Sequence, residues 1–402
     1  MRVLIYSVSA GAGHVRAAEA VVEAFKRTRS DIEVEHVDVM KLVPAAFKKA
    51  YADSYLKVVN SLPSVWGWLY ARADKVPQTS ALVSVRKFVQ RLNTREIIDH
   101  AMARQPDVIL TTHFLPAEIF CDRKRRTAGR KNAAANPKLA VVITDHDVHQ
   151  LWLHEGVDRY YTASDEISYL LHERDIPRET IKTTGIPCDP LFGELIDEPA
   201  RQRLKKMIGL ADAPSPTLLM NAHGCGVSGA GAAGSLAEVI NSVLRKGSPK
   251  TVLIVCGRNA TIQKILTEAV KAPPKCVVKI YGYVTNMHEL MGIADLVVTK
   301  PGGLTTSECL SRCLPMVLVS PIPGQEERNT EMLLENGCAV LARTPAALSY
   351  KLETLLNDAT RLNRMRESCR RAGKPNAAIE IANDVVQLCH PNGNGAKSTN
   401  GF

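Results

Sequence analysis

The run Ser9-Ala10-Gly11-Ala12-Gly13-His14 stands directly after a short apolar segment and before a helical pattern. Small residues in such a place let backbone N–H groups approach a ligand at a helix N-terminus. An imidazole at the C-terminal edge of a parallel sheet, as His14 would be, can act as a general base near neutral pH. It can equally cap a helix or fill a core. As a nicotinamide-dinucleotide signal the loop is weak: Gly11-Ala12-Gly13-His14-Val15-Arg16 lacks the third glycine, and the second strand has no clean acidic partner at its end.

A second cluster reads Lys300-Pro301-Gly302-Gly303-Leu304-Thr305-Thr306-Ser307-Glu308, again a strand end, a glycine turn and a helix start. The amides of Gly303, Leu304 and Thr305 could hold a diphosphate without a metal, and Glu308 could accept hydrogen bonds from ribose hydroxyls. A plain turn, with an acid favoured by the helix dipole, would look the same. The next strand ends in Pro321-Ile322-Pro323-Gly324-Gln325-Glu326, where Gln325 and Glu326 could bind sugar hydroxyls or simply open a solvated helix. Asn221-Ala222-His223-Gly224, Cys256-Gly257-Arg258-Asn259 and Gly282-Tyr283-Val284 follow three further strands. One such loop means little; five at the carboxyl ends of one sheet point to a nucleotide-type site.

The elements that must position these residues alternate along the chain. Val3–Tyr6, Ile32–Val39, Val108–Thr112, Ala140–Thr144 and Tyr160–Ala163 read as buried parallel strands, as do Thr217–Met220, Thr251–Cys256, Val277–Tyr281, Leu296–Thr299 and Met316–Ser320. Helical spacing separates them, as in Ala17–Phe25 and Ile262–Val270, so the pattern is α/β with two doubly wound layers. The expected division is 1–188 for an N-terminal domain, 189–372 for a C-terminal one, 373–390 for a last helix and 391–402 for a disordered tail. The proline-rich stretch 186–215 reads as the hinge. Two insertions interrupt the first domain. Residues 44–92 carry Phe47, Tyr51 and Tyr55 at helical spacing with lysine neighbours, then Trp66 and Trp68; residues 122–138 read as a basic loop with Arg123, Arg125 and Arg126.

The chain has 402 residues, 45% of them hydrophobic and 23% charged, which excludes a largely disordered or multi-span membrane protein. Lys plus Arg number 51 against 41 for Asp plus Glu; the net charge of +10 suits an anionic partner. The ten scattered cysteines form no CxxC pair and read as small core hydrophobes, with neither zinc nor disulfide expected. The short apolar start is no signal peptide, and the chain reads as cytoplasmic.

Taken together, Ser9-x-Gly-x-Gly-His14, Thr144-Asp145 with His149 and Trp152, Gly282-Tyr283-Val284-x-Asn286-Met287, Lys300-Pro-Gly-Gly303 and Pro323-Gly-Gln-Glu326 resemble the monogalactosyldiacylglycerol synthase and processive diacylglycerol glucosyltransferase family. The resemblance spans roughly residues 2–345. It implies an inverting GT-B glycosyltransferase: two Rossmann-like domains across a cleft, UDP-sugar on the C-terminal one and the lipid acceptor on the N-terminal one. By the same resemblance Gly282, Tyr283 and Val284 would contact uracil, Glu308 the ribose, and Gly303 to Thr305 the diphosphate, with Gly224, Arg258, Asn259 and Gly302 also at the donor. Gln325 and Glu326 would hold the sugar, and His14 or Asp145 would activate the lipid hydroxyl beside Gly13. Two departures stand out: Ala12, where the family usually has glycine, and His146 between Asp145 and Asp147.

That acceptor gives the insertions an expected task. Phe47, Trp66 and Trp68 with their lysines could lie in a bilayer interface, and the basic loop could add attraction to anionic lipid at the inner face of the cell membrane. No metal-binding DxD pattern sits at the donor site, so the UDP-sugar is the only co-substrate expected. The alternatives are transfer to another lipid or polyprenyl acceptor, or a silent UDP-sugar sensor at the membrane. Nucleic acid is not an expected partner, since the basic segment lacks interleaved aromatics. Glucose and galactose remain equal choices.

Overall fold

Short Val/Ile/Leu runs buried on both faces form parallel strands, and parallel pairs require crossover helices. A computed structural model describes residues 1–9, 11–49, 94–128, 136–194, 196–222, 230–248 and 250–389. The expectations for Trp66, Trp68, Gly224 and the tail 391–402 fall outside these residues.

The first sheet contains β1 (Arg2–Ser7), β2 (Glu33–Asp38), β3 (Val108–Thr111), β4 (Lys138–Val142), β5 (Arg159–Thr162) and β6 (Ile181–Thr183), in the order β2-β1-β3-β4-β5-β6. The second contains β7 (Thr217–Asn221), β8 (Thr251–Val255), β9 (Val277–Tyr281), β10 (Leu296–Thr299), β11 (Met316–Val319) and β12 (Ala339–Ala342), in the order β12-β11-β10-β7-β8-β9. Every pairing is parallel. Strand order reverses between β1 and β3 in one sheet and between β7 and β10 in the other, and a ligand crevice opens at such a point.

The first domain carries α1 (Ala12–Thr28), α2 (Arg95–Arg104), α3 (Phe114–Thr127) and α4 (Asp165–His172). The second carries α5 (Glu198–Met207), α6 (Ala230–Arg245), α7 (Ala260–Ala269), α8 (Met287–Ile293), α9 (Gly303–Ser311), α10 (Gln325–Glu335), α11 (Pro345–Leu356) and α12 (Ala359–Ala372). The last helix, α13 (Ala377–Cys389), packs Ala378, Ile381, Ala382 and Val385 against Val3, Ile5, Val21 and Phe25 of the first domain.

Three sequence expectations need correction. The start of the expected basic loop is helix: α3 runs on to Thr127. Arg125 and Arg126 pair with Asp122 one turn back at 2.8 and 3.9 Å, and basic side chains suit a helix C-terminus. The expected hinge contains α5, where Asp197 caps and Pro199 occupies the first turn, a position proline tolerates. Two of the four edge strands, β6 and β12, escape the pattern. One is three half-buried residues, and the other begins and ends in alanine, a poor strand former.

One buried carboxylate ties α13 to the first sheet. Asp384, 5% exposed, accepts from Tyr161 Oη at 2.9 Å and lies 3.0 Å from Arg159 Nε and 2.7 Å from Lys182 Nζ. Asp384→Ala leaves a buried hydroxyl and two cations without their partner. The expected loss is about 3 kcal/mol, the low end for a broken buried pair because both cations keep some solvent. Denaturant unfolding followed by circular dichroism measures it, and a loss under 1 kcal/mol would contradict this account.

Candidate active site

Both crevices are built by glycine-capped helix N-termini. Gly11, at φ +112° and with no side chain to offer, precedes α1, and Gly302 likewise precedes α9. A capping side chain would occupy the first free amides of each helix; here they stay open to an anion. Thr306 and Ser307 turn their hydroxyls back onto the carbonyls of Gly302 and Gly303, so neither caps α9.

The two N-termini face each other. A Cβ on Gly13 would lie 4.0 Å from Leu304 Cβ, and one on Gly303 would stand 2.3 Å from the carbonyl oxygen of Thr144. Gly303 therefore permits a contact between domains that no other residue allows. Gly303→Ala is expected to fold, to lose at least tenfold in turnover and to melt lower, since overpacking here costs about 1–3 kcal/mol. Steady-state turnover and a thermal melt check this; full activity would show that the domains need not approach so closely. Leu304 itself is buried, so only its amide can serve a ligand.

His14 sits in the first turn of α1. Its Nδ1 lies 2.9 Å from the Thr112 carbonyl oxygen and 2.9 Å from Thr144 Oγ1. A carbonyl can only accept, so the proton is on Nδ1 and the lone pair on Nε2. Burial pushes the His14 pKa below 6.5, while the charge of Asp145 and the Thr112 bond pull it back up. The ring is thus neutral at pH 7, with a buried carboxylate ready to stabilise its cation. His113 stacks edge-on, ring centres 4.6 Å apart, accepts from Leu115 N through Nδ1, and is held neutral by burial. Asp38 does end β2, but it is spent on Ser9 N and Met40 N, both at 3.1 Å.

Glu308, expected to accept from ribose hydroxyls, is 2% exposed and pairs with Arg16 of the opposite domain, Nη2 to Oε1 2.6 Å. Burial raises its pKa to about 7, opposed by Arg16 and assisted by Asp189. Glu326 accepts from Ile322 N at 2.7 Å; burial raises its pKa, the Ile322 bond and Lys300 lower it, and Asp145 raises it. Asp145, Lys300 and Glu326 therefore share one neighbourhood. Asn329, fully buried, binds the seam together: Nδ2 donates to Pro301 O at 2.8 Å and Oδ1 accepts from His146 N at 3.0 Å. Sequence reasoning passed over Asn329 and Arg16; both lie within a turn of a flagged residue, and only the fold shows that they cross between domains.

At the ends of β8 and β9, the Arg258 guanidinium stacks over the exposed Tyr283 ring at 4.9 Å, a flat surface able to receive a base. Asn259 caps α7 through Oδ1, and Gly282 lies against Gln263. Val284 packs on the core. Thr305 and Gln325 lie in the first turns of α9 and α10, after β10 and β11, and only the backbone of Gln325 is described.

Arg123, Arg125 and Arg126 are not brought here. Arg123 bonds Asn136 before β4, and the neighbouring Lys124 reaches Asp158 before β5 at 2.6 Å, so they occupy the amino-terminal edge of the sheet. His14 lies at the carboxyl edge, about 15 Å away across the strands. A membrane contact through these arginines would not present lipid to His14 directly.

Comparison with known proteins fits this geometry. Residues 14–188 match the Monogalactosyldiacylglycerol (MGDG) synthase family model, and residues 235–374 match Glycosyl transferases group 1. Among solved structures, MurG of Acinetobacter baumannii superposes at a TM-score of 0.61 with 15% identity, covering 96% of this chain and 99% of that one. UDP-GlcNAc 2-epimerase from Neisseria meningitidis, bound to UDP-GlcNAc, superposes at 0.59 with 13% identity, covering 96% and 99%. Fold and family matches define a glycosyltransferase of the GT-B class. Within it the chain is similar to the processive diacylglycerol beta-glucosyltransferase of Bacillus subtilis, 29% identical over 96% of this chain and 95% of that protein. Its counterpart from Staphylococcus saprophyticus is 28% identical over 96% and 93%. The epimerase shows that the fold alone does not decide the reaction.

Proposed function

We propose that the chain transfers a hexose, glucose first, from a UDP-sugar to the hydroxyl of diacylglycerol, with inversion at the anomeric carbon. The observation that carries this reading is the pairing across the seam: a histidine whose free nitrogen is basic faces an uncapped helix N-terminus. The names of the relatives supply the lipid and the glucose.

Tyr283 and Arg258 would receive uracil, Glu308 the ribose, and the amides of Gly303, Leu304 and Thr305 the diphosphate. Glu326, with Gln325 beside it, would hold sugar hydroxyls. Nε2 of His14 accepts the proton of the lipid hydroxyl as its oxygen attacks the anomeric carbon. Asp145 stabilises the resulting imidazolium, and the bond to UDP breaks on the opposite side. Charge growing on UDP meets helix N-terminal amides and Lys300, so we propose that no metal is needed.

Among the described residues no helix is long and apolar enough to cross a membrane. We propose peripheral attachment at the inner face of the membrane, drawn by the net charge of +10 and by residues 44–92. Proton NMR of the glycolipid made with EDTA present tests the reaction. An equatorial anomeric linkage from the axial donor is expected; an axial linkage, or UDP release without glycolipid, refutes it.

A further inference from the structure

Arg16 has a single side-chain partner among the described residues, and that partner is the carboxylate expected to bind the donor ribose. The contact is short, Nη2 to Oε1 2.6 Å, and joins the two domains. Glu308 is 2% exposed in it, whereas the Arg16 side chain is 44% exposed. The pair is therefore accessible from one side only, the guanidinium side. A ribose reaching Glu308 from that side meets Arg16 first.

Hydroxyl and guanidinium compete for the same oxygens, so binding of the ribose releases a cation into the seam. Glu308 lies five positions along α9 from its amino end at Gly303, a rise of about 7.5 Å. A diphosphate on the amides of Gly303 to Thr305 would thus lie within the span of an arginine side chain. Moving the guanidinium from carboxylate to diphosphate keeps its charge paired throughout, and arginine matches either oxyanion with two parallel donors.

We propose that Arg16 is a donor-binding residue contributed by the acceptor domain: it rests on Glu308 while the cleft lacks nucleotide and passes to the diphosphate when the ribose takes Glu308. The inference rests on the donor site described above. It makes closure of the cleft respond to the phosphates of the donor, not to its base. It also sets a cation beside UDP as the bond to the sugar breaks and negative charge collects on the leaving phosphate.

Calorimetric titration with uridine and with UDP at pH 8 separates the two halves of this behaviour. Arg16→Met should bind uridine at least threefold more tightly than the wild type, because the competitor for Glu308 is gone. It should bind UDP at least tenfold more weakly, because the phosphate partner is gone. Arg16→Lys, which keeps the charge without the fork, should fall between them for UDP. Affinities for uridine and UDP that fall in parallel, or that both stay at the wild-type values, overturn the proposal. Glu308→Ala serves as the control on the site itself. If it leaves both affinities unchanged, the donor-site reading fails and Arg16 fails with it. If it weakens both while Arg16→Met shows no opposed shift, only the role of Arg16 is lost.

Discussion

Replacing His14 with alanine lowers kcat for sugar transfer by about 10²–10⁴-fold, the usual contribution of a general base, and leaves UDP affinity within about twofold. The expectation follows from position. His14 belongs to the first domain, and its Nδ1 is fixed by Thr112 and Thr144 of that same domain. Apart from Arg16, whose partner is Glu308, the residues placed around the nucleotide belong to the second. Activity should rise with pH through an apparent pKa below 6.5, because burial disfavours the imidazolium and a base must be neutral to act. Rapid-mix turnover across pH 5–8, with UDP titration of the same protein, checks both statements. Equal losses in turnover and UDP affinity would remove His14 from the role of base.

Glu308→Ala reverses that signature. It should weaken UDP by about ten- to a hundredfold, the range for hydrogen bonds to a charged group, and affect the bound complex less. The same carboxylate leaves a mark on stability. Its pKa, ordinarily 4.5, is raised to about 7 in the folded chain, so the folded state binds the proton more tightly than the unfolded one. The stability this provides is complete below pH 4.5 and is lost as pH rises through 7. Glu308→Gln, which cannot ionise, should lose less melting temperature than the wild type between pH 5 and pH 8. A wild-type melt that falls no further than that of the variant over this interval would show that Glu308 is not held against ionisation.

Much of the fold is legible in the chain because the strands are buried on both faces and so read as unbroken apolar runs. The eight inner strands show themselves this way. Edge strands are less legible: β2 and β9 are half-exposed but still show in the chain, whereas Ile181-Lys182-Thr183 is short and half-buried, and a lysine in it suits its exposed side. The proline-rich hinge misleads because Pro199 sits where a helix accepts proline. The basic segment misleads because its first residues satisfy one another along a helix face, which charge counting does not reveal. For the site, the glycine turns announce themselves as small-residue runs between strand and helix, and at Gly303 only bare backbone fits. Glu308 and Glu326 are visible as acids at strand ends, but their burial is not. What a single chain cannot display is contact between segments 292 and 183 residues apart: the Arg16–Glu308 pair and the bond from His146 to Asn329 arise only when two sheets bring their carboxyl edges together.

Thin-layer chromatography of lipids after incubation with radiolabelled UDP-glucose, diacylglycerol in anionic vesicles and EDTA tests the central claim most directly. The account predicts a labelled monoglycosyl diacylglycerol that His14→Ala does not make. The absence of labelled lipid from protein that demonstrably binds UDP would contradict it.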